Sequence, residues 1–356
     1  MKTQFAPSRR EFLQTAATAA MVPAAGLLGQ NRNRGRIDVH HHLVPPDYVK
    51  EMVAEMKETN FTPRPWTPQL SLEAMDKHGV ATAMLSPVQR IVLDSMSDRT
   101  ERARKLVRIN NDYNAQVVRD NPTRFGLMAA LPLTDVDGSL KEIAYAYDTL
   151  KADGIALWTS YRDKWPGDAE FAPVFEELNR RKAVVFFHPA AGICCRNLIP
   201  GLGISGIIEY DMDTARCAES LLAGGTPGRF PDIRFIFSHS GGALTVLAAR
   251  IIDDYPKAFA DRLPHGVEYE FRRFYYEVAH ASKPAALDAM KDIAPVSQML
   301  YGADVPLRTY ELTNDGLDVY QGFSPKDWEA IYRTNAEKLL CPRGSPTQDT
   351  SGATFP

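Results

Sequence analysis

Eight short apolar runs that alternate with longer amphipathic segments predict an α/β fold, a closed (β/α)8 barrel of the TIM type. Two further features favour that fold over a doubly wound open sheet. Several of the runs end in a histidine or an aspartate, where a barrel places its reactive rim, and no Gly-rich phosphate turn follows the first run. In chain order the expected strands cover 36–40, 81–86, 124–131, 154–158, 183–188, 233–239, 271–279 and 298–304. Each is a short β-branched or apolar stretch bounded by turn residues. The segments with helical spacing between them are 100–121, 138–152, 170–182, 214–223, 243–255 and 285–292. Two long insertions, 45–70 with its prolines and Trp66 and the Gly-rich 190–206, follow strands that end in histidine, so they are expected to wall the rim.

The chain divides into a leader and linker (1–35), one barrel domain (36–342) and a polar tail expected to be disordered (343–356). In the leader, Ser8-Arg9-Arg10-Glu11-Phe12-Leu13-Gln14 precedes a short Ala-rich apolar run, which resembles a twin-arginine export signal and implies a periplasmic or extracellular protein. No run approaches the roughly 20 apolar residues of a membrane span. With 41 basic against 44 acidic residues, the chain has no electrostatic case for nucleic acid or anionic lipid, and a small molecule is the expected partner. Cys194, Cys195, Cys217 and Cys341 do not form a disulfide framework and read as ordinary thiols.

The most specific local signal is Ile37-Asp38-Val39-His40-His41-His42. A strand sends alternate side chains to one face, so His40 and His42 point together while His41 points away, and two imidazoles at a strand end make a metal half-site. The fifth run ends in His188, the sixth in His239 and the eighth in Asp304. Four strand ends carrying donor or proton-transfer groups read together as a site. His78, before Gly79, and His41 read as structural; His280 follows the seventh run within reach of the rim, and His265 has no evident partner.

These residues resemble the amidohydrolase superfamily, in its amidohydrolase-related branch of aminocarboxymuconate-semialdehyde, resorcylate and salicylate-type decarboxylases. Arg36-Ile37-Asp38-Val39-His40-His41-His42, Glu73-Ala74-Met75-Asp76-Lys77-His78-Gly79-Val80, Leu131-Pro132-Leu133-Thr134-Asp135 and Glu177-Leu178-Asn179-Arg180-Arg181 are most similar to methylsalicylate decarboxylase-like members. The resemblance implies that His40, His42, His188 and Asp304 are ligands of one divalent metal and that His239 is an acid/base. Asp304 is a second candidate proton donor. Related binuclear sites place a lysine at the end of strand 4, where this chain has Trp158-Thr159. Three nitrogens and one carboxylate suit Zn²⁺, and Mn²⁺ also fits.

The activity this implies is non-oxidative decarboxylation of an aromatic or enol-type carboxylic acid, with a homodimer as the implied assembly. Metal-dependent hydrolysis of a lactone, ester or amide uses the same five residues and stays open, as does a non-catalytic exported metal-binding protein. Arg90, Arg162, Arg196 and Arg308 are all candidates to meet the substrate carboxylate, and the sequence does not choose among them.

Overall fold

The computed structural model describes residues 35–52, 65–88, 100–161, 163–190, 192, 207–281 and 283–340. The leader, the tail, Cys194, Cys195, Cys341, Arg90, Arg162, Arg196 and the middle of both insertions lie outside the described residues.

Eight parallel strands follow one another in chain order around a barrel: β1 (Arg36–Leu43), β2 (Val80–Pro87), β3 (Phe125–Ala130), β4 (Gly154–Trp158), β5 (Val184–His188), β6 (Arg234–Phe237), β7 (Tyr275–Glu277) and β8 (Met299–Leu300). The last strand is only two residues long, so the chain beyond it completes the ring. Val39 N donates to Tyr301 O at 3.0 Å, Asp304 N to His40 O at 2.8 Å and His42 N to Val305 O at 2.7 Å. Asp38 stitches the same seam with its side chain: Oδ1 accepts from His40 N at 3.0 Å and Ala303 N at 3.1 Å.

Alternation along the strands sorts the apolar residues into two cores. Val39, Met84, Met128, Ala156, Val184, Phe186, Ile236 and Leu300 fill the barrel, which Ala336 and Leu339 help to close. The larger cluster, including Leu85, Leu157, Val185, Phe187, Phe235 and Phe237, lies between strands and helices. Each large apolar side chain removed from water in this way contributes about 1.5–3 kcal/mol. Inside the barrel, Gly126 and Gly154 leave the space that the Met84 and Met128 side chains occupy.

The helices use the expected local signals. Helix α1 (Pro46–Glu51) lies within the first insertion. Helix α2 (Pro68–Lys77) begins on Thr67, whose side chain accepts from Leu70 N, and it ends at His78 before the left-handed Gly79. The buried face of α3 (Thr100–Asp120) carries Asn111 and Asn114, which satisfy the backbone of Ala130 and the carbonyl of Leu85. Helix α4 (Val136–Ala144) is capped by Asp135 and runs into a π-turn (Tyr145–Leu150); α5 (Ala172–Arg180) precedes β5. Helices α6 (Glu209–Ala223) and α7 (Leu244–Asp254) flank β6.

One expected strand is partly helix. Residues 271–273 of the seventh run belong to α8 (Val267–Arg273), where Val267, Glu270 and Phe271 form a buried helical face and Glu268 pairs with Arg272 one turn on. The apolar run therefore joins the end of a helix to a three-residue strand, β7. The sixth and eighth strands are also shorter than expected: they end at Phe237 and Leu300, so His239 and Asp304 stand on turns beyond them.

Candidate metal centre

β1 does not run as a regular strand: its register against β2 shifts between Asp38 and His41. Even so, His40 and His42 converge and His41 departs. His41 is completely buried on the other side, with Nε2 2.7 Å from Ser71 Oγ and Nδ1 3.1 Å from Tyr310 Oη. His78 pairs with Glu311 at 3.0 Å away from the site, and the His265 ring packs on Tyr269.

The Nε2 atom of His42 lies 3.1 Å from His40 Nε2, 3.1 Å from His188 Nε2 and 3.0 Å from Asp304 Oδ1. Asp304 Oδ1 is also 3.1 Å from His40 Nε2 and 3.9 Å from His188 Nε2. Donor atoms on a tetrahedral ion with bonds near 2.0–2.1 Å are about 3.3 Å apart, so the set has the span of a first coordination sphere. A second grouping overlaps it: His40, His188, His239 and Asp304 each offer a donor atom within 4.8 Å of the others. In either grouping three histidines and one aspartate converge at the rim, a donor set suited to a divalent metal.

The opposite ring nitrogens reinforce this fit. His40 Nδ1 is 2.9 Å from Glu277 Oε1, His42 Nδ1 is 3.2 Å from both Pro87 O and Ser86 Oγ, and His188 Nδ1 is 3.2 Å from Pro189 O. With each Nδ1 engaged by an acceptor, a neutral ring carries its lone pair on Nε2, where the three rings meet. Electrostatics point the same way. Burial disfavours charge on His40, yet Asp304 and Glu277 outweigh it and push its imidazole up to about 10, so the pocket stabilises positive charge. Burial pushes His42 and His188 down, which keeps them neutral donors. Burial also works against the Asp304 anion, but His40 and the other surrounding histidines hold it well below the usual carboxylate range.

His239 stacks on the His40 ring, with centroids 5.2 Å apart, and its Nε2 is 3.5 Å from Asp304 Oδ2, too long for a strong hydrogen bond. His280 reaches the same oxygen at 3.0 Å with 43% of its side chain exposed. His239, Ser240, His280 and Asp304 all have φ between +52° and +62°, a left-handed backbone that non-glycine residues adopt at a cost and that clusters at working sites. Gly241 and Gly242 complete the His239 turn, and a Cβ on Gly242 would collide with the Asp211 backbone of α6. At the end of β4, Thr159 is committed to Asp213 Oδ2 at 2.6 Å. Of the candidate arginines only Arg308 is described; its backbone N donates to Asp304 O at 2.7 Å.

Glu277 was not singled out in the sequence. It is fully buried on β7: Oε1 accepts from His239 N at 2.6 Å as well as facing His40, and Oε2 accepts from Ala279 N at 2.5 Å.

A (β/α)8 barrel with a His3Asp centre at the C-terminal ends of its strands is an amidohydrolase-type enzyme architecture. The family described as Amidohydrolase matches residues 37–340, and the chain belongs to it. It is 36% identical over 323 residues to a decarboxylase from Penicillium terrestre, covering 86% of this chain and 94% of that one. It is 33% identical over 281 residues to the 6-methylsalicylic acid decarboxylase of Penicillium expansum, covering 76% and 85%. In fold it is similar to the 5-carboxyvanillate decarboxylase of Novosphingobium aromaticivorans, solved with manganese and 4-hydroxy-3-methoxy-5-nitrobenzoic acid. That likeness has a TM-score of 0.76 at 17% identity, covering 87% of this chain and 96% of that one.

Proposed function

We propose that the protein is a metal-dependent, non-oxidative decarboxylase of a hydroxylated aromatic carboxylic acid of the salicylate type. The observation that carries this reading is the convergence of His40, His42, His188 and Asp304 in a chain that aligns with 85% of a 6-methylsalicylic acid decarboxylase at 33% identity. His40, His42, His188 and Asp304 are the ligands in this reading, and His239 is left free beside them. Zn²⁺ is the ion we favour from the donor set; Mn²⁺, held by the carboxyvanillate enzyme, is the other. When bound, the ion would supply a positive centre for the substrate carboxylate and would stabilise the neighbouring hydroxyl as its anion, whose electron pair makes the carboxyl-bearing ring carbon able to take a proton.

The reaction adds a proton to the carboxyl-bearing ring carbon, breaks the bond from that carbon to the carboxylate and returns its electron pair to the ring as CO₂ leaves. Burial pushes the His239 imidazole down, so a proton placed on it is readily given up. Asp304 Oδ2 lies 3.5 Å from the His239 Nε2, and half-exposed His280, 3.0 Å from the same oxygen, links the pair to solvent. The leader motif Arg9-Arg10 supports our further proposal that the enzyme is exported.

The test is elemental analysis of the purified chain beside His188→Ala, together with CO₂ release from a panel of hydroxybenzoates. About one ion per chain, lost in the variant, and CO₂ formed with the decarboxylated arene support the reading. A metal-loaded wild type that releases no CO₂, or that makes a new acid group from an ester, lactone or amide, sinks it.

A further inference from the structure

We propose that Glu277 is a positioning residue that sets both the metal affinity of the centre and the placement of His239. The proposal rests on reading His40 as a ligand, but not on the identity of the reaction.

A carboxylate only accepts hydrogen bonds, and the geometry around Glu277 uses that property three times. Its oxygens face His40 Nδ1 at 2.9 Å, His239 N–H at 2.6 Å and Ala279 N–H at 2.5 Å. The first contact requires the proton of His40 to sit on Nδ1, which leaves Nε2 as the donor to an ion. The second holds the backbone of His239 in its left-handed conformation, φ +52°, where a residue with a Cβ is strained unless its surroundings impose it. The third does the same for the turn that carries His280, φ +62°. One buried side chain on β7 thereby joins a proposed ligand on β1 to the proposed proton donor after β6. The turn after β8 makes room for it, because a Cβ on Gly302 would collide with the Glu277 carboxylate.

Glutamine has the same shape but one acceptor oxygen and an NH₂ group. Three N–H groups converge on this side chain, so an amide must turn its own hydrogens on at least one of them. Glu277→Gln therefore tests the acceptor chemistry with little change in volume. Gly302→Ala is the complementary variant, keeping the carboxylate but pushing it off its partners.

The readout is competition between the full-length chain and a chromogenic chelator for Zn²⁺, followed by steady-state CO₂ release at saturating metal. For Glu277→Gln the expected result is a ten- to hundredfold (~10–100) loss of Zn²⁺ affinity, with the circular dichroism of the metal-free chain unchanged. At saturating metal, kcat falls while KM moves by less than about threefold, because His239 is displaced rather than the substrate site. Gly302→Ala shows the same pattern, and stands in should the glutamine variant fail to fold. Affinity within about twofold of wild type in either folded variant overturns the proposal, and so does a normal kcat once the metal is restored. The chelator titration needs no substrate, so a wild type that binds metal without releasing CO₂ would remove the decarboxylase reading while the effect of Glu277 on metal affinity is still decided by the titration.

Discussion

Asp304 divides its oxygens between two groups of histidines. Oδ1 faces His40, His42 and His188, while Oδ2 faces His239 and His280. That division makes His239→Ala informative. With His42 in the coordination sphere, the variant keeps about one ion per chain and loses turnover by roughly 10²–10⁴-fold, measured by elemental analysis and CO₂ release. Loss of the ion would instead place His239 among the ligands and His42 outside. The convergence of the histidines was legible in the sequence because imidazole is scarce and His40, His42, His188 and His239 lie in or just after apolar runs, although the sixth run overshoots its strand. Glu277 was not, since it sits inside a run of tyrosines and small apolar residues and meets His40 across 237 positions of chain. No local pattern marks a buried acid whose distant partners are an imidazole on β1 and a backbone N–H on the turn after β6.

Among the elements, α5 and the turn after α4 are joined by charge. Glu177 accepts from Arg180 Nη2 at 2.7 Å and Arg181 Nε at 2.6 Å, and Arg181 reaches back to Asp148 at 2.8 Å. Arg180 foremost, then Arg181, hold the Glu177 carboxyl down at about 2 against an ordinary 4.5. A depressed carboxylate adds stability above its unfolded value and loses it as pH falls through the folded one, so this contribution fades between pH 4.5 and 2. Partly exposed pairs of this kind are worth roughly 0.2–1 kcal/mol. Thermal melts should therefore show wild type losing its advantage over Glu177→Gln as pH drops through that window; a constant gap would mean that the pair contributes nothing. At this scale the alternation of strand and helix was readable, and the errors fell at boundaries. Phe271 has the spacing of a helix face with Val267 and also the look of a strand residue, and only its packing decides between them.

The whole molecule closes its barrel across the seam between β1 and the chain after β8, and among the described residues no helix is long and apolar enough to cross a membrane. Our export proposal is tested by fractionating cells that express the full chain or Arg9→Lys/Arg10→Lys. Retention of the double variant inside the cell supports the proposal, and equal distribution of the two removes it. The seam also governs when the enzyme becomes competent. His42 and Asp304 meet across 262 positions, so the donors come from the first strand, the fifth and the turn after the last. Until Asp304 is in place, the chain offers three imidazoles without the carboxylate that completes the proposed set. Under the proposed ligand set, selection of the ion would follow closure of the barrel, and the ion available at that moment, as much as the donors themselves, would decide which cation the enzyme carries.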